Sequence, residues 1–154
     1  MINVLFVCLG NICRSPMAEA VFRDLLKNEN LADKIKVDSA ATSSWHIGSP
    51  PHEGTLAILQ NYNISAEGLV GRKLTKSDFD QFDYIVGMDE SNLRNIGEIT
   101  GKANHAKFIR LLDLTEHKKD VPDPWYTGDF QETYDLITDG CQSLLKKIRS
   151  EQNL

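Results

Sequence analysis

The sequence predicts an α/β protein, a parallel sheet with helices on both faces, in three layers. Three observations carry this. Four short apolar segments alternate with segments of helical periodicity along 154 residues. That alternation is the mark of parallel strands joined by helical crossovers. The first segment, with Ile2, Val4, Leu5, Phe6 and Val7, is nearly continuous in its apolarity, as a strand buried on both faces requires. No repeat, low-complexity tract or linker divides the chain, so its length suits one domain, 1–154, with one sizeable core.

The elements follow in order. After the first strand, Ala18, Val21, Phe22 and Leu25 recur at helical spacing. Pro16 suits the first turn of that helix, where its missing N–H would have been unpaired anyway. Lys36 to Ala40, with Ile35 ahead of it, reads as the second strand. Thr42 to Pro51 is a loop rich in Ser, Gly and Pro that carries Trp45 and His46. Glu53 to Gln60 is helical, Asn61 to Gly71 irregular, and Lys76 to Gln81 a short helix after Thr75. Asp83 to Met88 is the third strand, Glu90 to Ile96 a helix, and Ala106 to Leu112 the fourth strand. Tyr134, Ile137, Cys141, Leu144, Leu145 and Ile148 form one apolar stripe on a long final helix, which places Cys141 in the core.

Composition excludes several function classes. Hydrophobic content of 41% and charged content of 25% are ordinary for a globular protein. No apolar stretch approaches the length of a membrane span, so no membrane partner is expected. The N-terminal apolar run is too short for a signal-peptide core and has no basic lead, which points to the cytoplasm. Three cysteines, an odd number, argue against a secreted disulfide framework. Net charge of −5 gives no nucleic-acid footprint. Neither glycine fingerprint for nucleotides is present, and no Cys/His cluster has zinc-ligand spacing, so no cofactor and no metal are expected.

Ligands of such sheets bind at the carboxyl ends of the strands. There the first strand runs into Cys8-Leu9-Gly10-Asn11-Ile12-Cys13-Arg14, followed by Ser15 and Pro16. A cysteine and an arginine with five residues between them can hold one phosphate between a nucleophile and a bidentate cation. Gly10 and Asn11 tolerate the positive φ of a tight strand-to-helix loop. The converging N–H groups and the helix start add partial positive charge. Such surroundings favour a thiolate, which can attack the phosphorus of a monoester.

An acid that protonates the leaving oxygen assists the displacement. Asp123 is the candidate, in Val121-Pro122-Asp123-Pro124-Trp125-Tyr126, where two prolines stiffen the loop. On sequence alone Asp120 and Asp129 compete, and a solvated loop aspartate is the plainer reading. Ser15 reads equally as a helix cap or as a hydroxyl donor to Cys8. Asp89 reads as a helix N-cap, with orientation of Arg14 as the second role. The four histidines receive no role.

These residues resemble the low-molecular-weight protein tyrosine phosphatases. The resemblance rests on Val7 to Pro16 and on Asp123-Pro124-Trp125-Tyr126. Val37-Asp38-Ser39-Ala40, Gly48-Ser49-Pro50-Pro51, Phe82 to Val86 and Met88-Asp89 add to it, so it spans essentially the whole chain. It implies a four-stranded, Rossmann-like parallel sheet and hydrolysis of phosphotyrosine through a cysteinyl-phosphate. Cys8 would be the nucleophile, Arg14 the phosphate clamp and Asp123 the general acid and base. The phosphate loop would comprise Leu9, Gly10, Asn11, Ile12, Cys13, Arg14 and Ser15. Leu9, Ile12, Trp45, Trp125 and Tyr126 would wall a slot deep enough to select phosphotyrosine. Ser15 would contact the thiolate, while Asn11 and Ser39 brace the loop. A histidine that usually joins the brace has no counterpart, because its stretch reads Ala66-Glu67-Gly68-Leu69. The resemblance further implies a reversible Cys8–Cys13 disulfide, a phosphorylation site at Tyr126, and a monomer acting on tyrosine-phosphorylated proteins or small aryl phosphates.

Three rival readings are weighed against this. Phosphoarginine phosphatases of the same superfamily carry a threonine where this chain has Ile12, and an apolar branched residue suits a phenyl ring better. A thiol-linked arsenate reductase needs relay cysteines, and none occurs between Cys13 and Cys141. A phosphoprotein-binding module would not need nucleophile, cation and acid together. Because the cycle starts from ionised Cys8 and protonated Asp123, kcat/KM is expected to be bell-shaped in pH, with its maximum below neutrality.

Overall fold

A computed structural model describes residues 1–154. Four strands form one parallel sheet: β1 (Ile2–Cys8), β2 (Ile35–Ala41), β3 (Tyr84–Gly87) and β4 (Phe108–Arg110), in the order β2-β1-β3-β4. β1 is central, pairing with β2 from Ile2↔Ile35 to Cys8↔Ala41 and with β3 from Val4↔Tyr84 to Val7↔Gly87. The strand order reverses at β1, so a crevice opens between the carboxyl ends of β1 and β3.

Six helices cover the sheet: α1 (Arg14–Asn28), α2 (Glu53–Asn61), α3 (Asp78–Gln81), α4 (Glu90–Thr100), α5 (Pro124–Thr127) and α6 (Phe130–Gln152). Side chains of β1 alternate between the two faces, as the period of two requires. Val4, Phe6 and Cys8 join α1 and α6 in the larger core, while Leu5 and Val7 pack with Ile96 of α4 and Leu74 in the smaller one. The stripe expected on the last helix faces the core, with Ile137, Cys141, Leu144 and Ile148 fully enclosed and Tyr134 half-buried.

Four local expectations are corrected. The fourth strand is only three residues long, and Leu111–Leu114 turn into a 3-10 helix. Their two leucines at the start are wholly buried beneath α6, so packing outweighs β-propensity there. The third strand is shorter than expected at both ends. The helix after it runs on to Thr100, where Gly101 closes it at a left-handed φ of 76°. The stretch after Asp123 is a helical turn, α5, with Pro124 at its first position.

Candidate active site

The loop from β1 to α1 closes around Cys8. The N–H groups of Asn11 and Ser15 point at its Sγ from 3.3 and 3.4 Å, and Ser15 Oγ lies at 3.0 Å. Asn11 adopts a left-handed φ of 57°, which lets the chain turn this tightly. α1 begins one residue before Ser15, with Cys13 at the N-cap and no side-chain cap. Of its two sequence readings, Ser15 therefore makes the contact with Cys8.

The loop is tied down from behind. Asn11 Nδ2 donates to Ser15 Oγ at 2.8 Å and to Ser39 Oγ at 2.9 Å, and Asn11 Oδ1 accepts from the Arg72 N–H at 3.0 Å. The brace thus closes without a histidine. Arg72 reaches it because residues 72–74 run along the end of β2, bridging Ala41 and Lys73. Its guanidinium is pinned between Asp38 and Asp78, each at 3.0 Å. Sequence reasoning missed Arg72, since nothing local marks a backbone amide as a brace. It also missed Glu19, which accepts from Ser39 Oγ at 2.6 Å. A carboxylate on the apolar face of α1 was the available signal.

Arg14 is 3% exposed. Its Nη1 donates to Asp89 Oδ2 at 2.7 Å and to the Val121 carbonyl at 3.0 Å, and its Nη2 lies 3.5 Å from Asp123 Oδ2. Burial works against its charge, but Cys8, Asp89 and Asp123 outweigh it, so the guanidinium holds its proton more firmly than usual. Asp89 fills both roles read from the sequence. Its other oxygen accepts from Asn92 N–H at 2.7 Å and caps α4. Asp123 caps α5 through Trp125 N–H at 3.0 Å, leaving its second oxygen toward Arg14. Of its rivals, Asp120 binds Glu90 N–H and Arg110, and Asp129 caps α6. Neither lines the cavity.

That cavity, of about 150 Å³, gathers Cys8, Arg14 and Asp123 with Leu9, Gly10, Ile12, Cys13, Trp45, Trp125 and Tyr126. Asn11, Ser15, Ser39 and Asp89 stand outside it as supports. Cys8 and Arg14 are buried, whereas Trp45 and Tyr126 are 73% and 78% exposed, so the site is a slot with an apolar rim. His46 is the wall residue that sequence reasoning missed. Its ring lies 6.2 Å from that of Trp125, and a Cβ on Gly10 would sit 3.1 Å from its Cδ2. Its place beside Trp45 after β2 was the signal. Burial, and then the charges of Cys8 and Asp123, push the Cys13 thiol from an ordinary 9.0 up to about 12.

The sequence profile of a family described as low molecular weight phosphotyrosine protein phosphatase matches residues 3–154. The chain belongs to that family. It is 52% identical over 156 residues to the low molecular weight protein-tyrosine-phosphatase YfkJ of Bacillus subtilis, covering 100% of both chains. The crystal structure of YfkJ superposes with a TM-score of 0.95, covering 98% of this chain and 96% of that one. PtpA of Staphylococcus aureus, of the same description, is 46% identical over 155 residues, 100% of this chain and 98% of its own. A drosophila arginine phosphatase is also similar in structure, with a TM-score of 0.86 at 31% identity, over 95% of this chain and 97% of that one. YfkJ and PtpA, both named tyrosine phosphatases, are more similar to this chain in sequence than that arginine phosphatase is.

Proposed function

We propose that the protein hydrolyses phosphotyrosine monoesters, with Cys8, Arg14 and Asp123 as its catalytic residues. The convergence of these three side chains on one aromatic-rimmed slot is the observation that supports this most. In the first step the Cys8 thiolate attacks phosphorus. The bond to the phenolic oxygen breaks, and Asp123 gives that oxygen its proton. In the second step Asp123 takes a proton from water, the water oxygen attacks phosphorus, and the P–S bond breaks. Inorganic phosphate and the thiolate are released. Arg14 and the loop amides hold the equatorial oxygens through both steps. Asp89 and the Val121 carbonyl fix one arm of the guanidinium, so the fork is oriented before substrate arrives.

The slot suits tyrosine because a phosphoserine arm is too short to bring its phosphate to Cys8. In this reading Leu9, Ile12, Trp45, Trp125 and Tyr126 hold the phenyl ring. The substrates are tyrosine-phosphorylated proteins or small aryl phosphates, and the chain acts as a single-domain monomer in the cytoplasm. No helix is long and apolar enough to cross a membrane. Cys13 lines the same cavity as Cys8. A peroxide would oxidise Cys8 to a sulfenic acid, which condenses with the Cys13 thiol, losing water and forming a protecting disulfide.

Steady-state hydrolysis of p-nitrophenyl phosphate and phosphotyrosine tests the assignment. Cys8→Ser and Arg14→Ala should lose nearly all activity. Asp123→Ala should lose less on p-nitrophenyl phosphate, whose leaving group departs readily, and more on phosphotyrosine. Equal losses on both substrates would remove Asp123 from the acid role. Parallel turnover of phosphoarginine decides between the two phosphatase classes, and Ile12→Thr should shift the ratio toward phosphoarginine.

A further inference from the structure

Off the cavity, a line of buried hydrogen bonds leads from the nucleophile to a carboxylate. Cys8 Sγ lies 3.0 Å from Ser15 Oγ, and Ser15 Oγ accepts from Asn11 Nδ2 at 2.8 Å. The same Nδ2 donates to Ser39 Oγ at 2.9 Å, and Ser39 Oγ donates to Glu19 Oε1 at 2.6 Å. All four residues after Cys8 in this line are buried. The other oxygen of Glu19 accepts from Arg23 Nη2 at 2.6 Å. Arg23 Nη1 in turn donates to the Glu67 carbonyl at 2.9 Å, in the stretch where the histidine was expected.

The line has a direction, and the carboxylate sets it. An ionised carboxylate only accepts, so Ser39 gives Glu19 its one hydrogen and must accept from Asn11. The amide of Asn11 therefore turns its NH₂ toward the two serines and its oxygen toward Arg72 N–H. Ser15 accepts from that NH₂, which leaves its own hydrogen for the sulfur of Cys8.

We propose that Glu19, kept charged by Arg23, is a positioning residue that makes the Ser15 hydroxyl a donor to the Cys8 thiolate. The inference rests on Cys8 being the nucleophile. Burial draws the Glu19 carboxyl above the usual range, Ser39 and Arg23 oppose that, and Asp38 adds to the rise. Loss of Arg23 removes one of the two groups that oppose this rise, and a protonated Glu19 would become a donor itself and leave Ser39 free to turn.

The test is the rate of Cys8 alkylation by iodoacetate between mildly acidic and neutral pH, read by peptide mass spectrometry. Cys13, with its thiol near 12, and buried Cys141 stay silent in that range. Glu19→Gln and Arg23→Met should raise the alkylation midpoint by about half a unit, a loss of about threefold in thiolate at the acid end. The acid limb of kcat/KM should move with it. Arg23 is 40% exposed, so its variant decides if Glu19→Gln does not fold. A role confined to stability would lower Tm and leave the midpoint in place, and an unchanged midpoint in folded Arg23→Met overturns the inference. A wild type whose Cys8 resists alkylation at neutral pH overturns the parent reading, and this one with it.

Discussion

Arg14 is the buried cation of the slot and is held from several sides. Its two arms meet Asp89 from one segment and the Val121 carbonyl and Asp123 from another, both far from it in sequence. Lysine offers no planar fork for two phosphate oxygens. Arg14→Lys should therefore lower kcat by about a hundredfold or more, the size of losing a preorganised oxyanion donor. Asp89 permits a cleaner separation of roles. Asp89→Ala loses both the Arg14 contact and the α4 cap, and should cost about 1 kcal/mol of stability beside its loss of kcat. Asp89→Ser keeps a capping oxygen, so Tm should recover while kcat does not. Thermal melts and kinetics on the two variants check this. The sequence offered Asp89 both roles but could not say that one carboxylate does both, because the second depends on where Arg14 lies.

At the scale of elements, the 3-10 turn that replaces the end of β4 packs beneath α6 at Gly140. A Cβ there would meet Leu111 Cγ at 2.5 Å. Gly140→Ala should cost about 1–3 kcal/mol through overpacking. The folded fraction should keep its kcat, which combined denaturant titration and assay would show. The periodicity of α6 was legible because its stripe is long and its amphipathic pattern regular. The end of β4 was not, since an apolar run such as Ile109-Arg110-Leu111-Leu112 reads alike for a strand and a buried turn. The helical turn of α5 escaped for a related reason. Four residues give no periodicity, and only Asp123 capping Trp125 N–H reveals it.

For the whole molecule, two buried thiols contribute to stability in alkali. Burial is the first cause for both, raising Cys13 from 9.0 to about 12 and Cys141 beyond that. Their folded values lie above their unfolded ones, so the unfolded chain releases these protons first. The stabilisation is complete below pH 9.0 and is lost as pH rises toward about 12. Tm should fall across that window, and Cys13→Ala should make the fall shallower. The sequence alone determined the layered α/β class and the strand-to-helix loop holding Cys8 and Arg14, while the family likeness is what pointed to Asp123 among the loop aspartates. These rest on local patterns: periodicity, spacing and turn chemistry. Tertiary structure alone decided that Glu19, Arg72 and His46 belong to the same neighbourhood, and that the brace closes without its histidine. Those contacts join segments as far apart as Asn11 and Arg72, which come within hydrogen-bond reach only because β1 pairs with β2 and residues 72–74 bridge onto the end of β2.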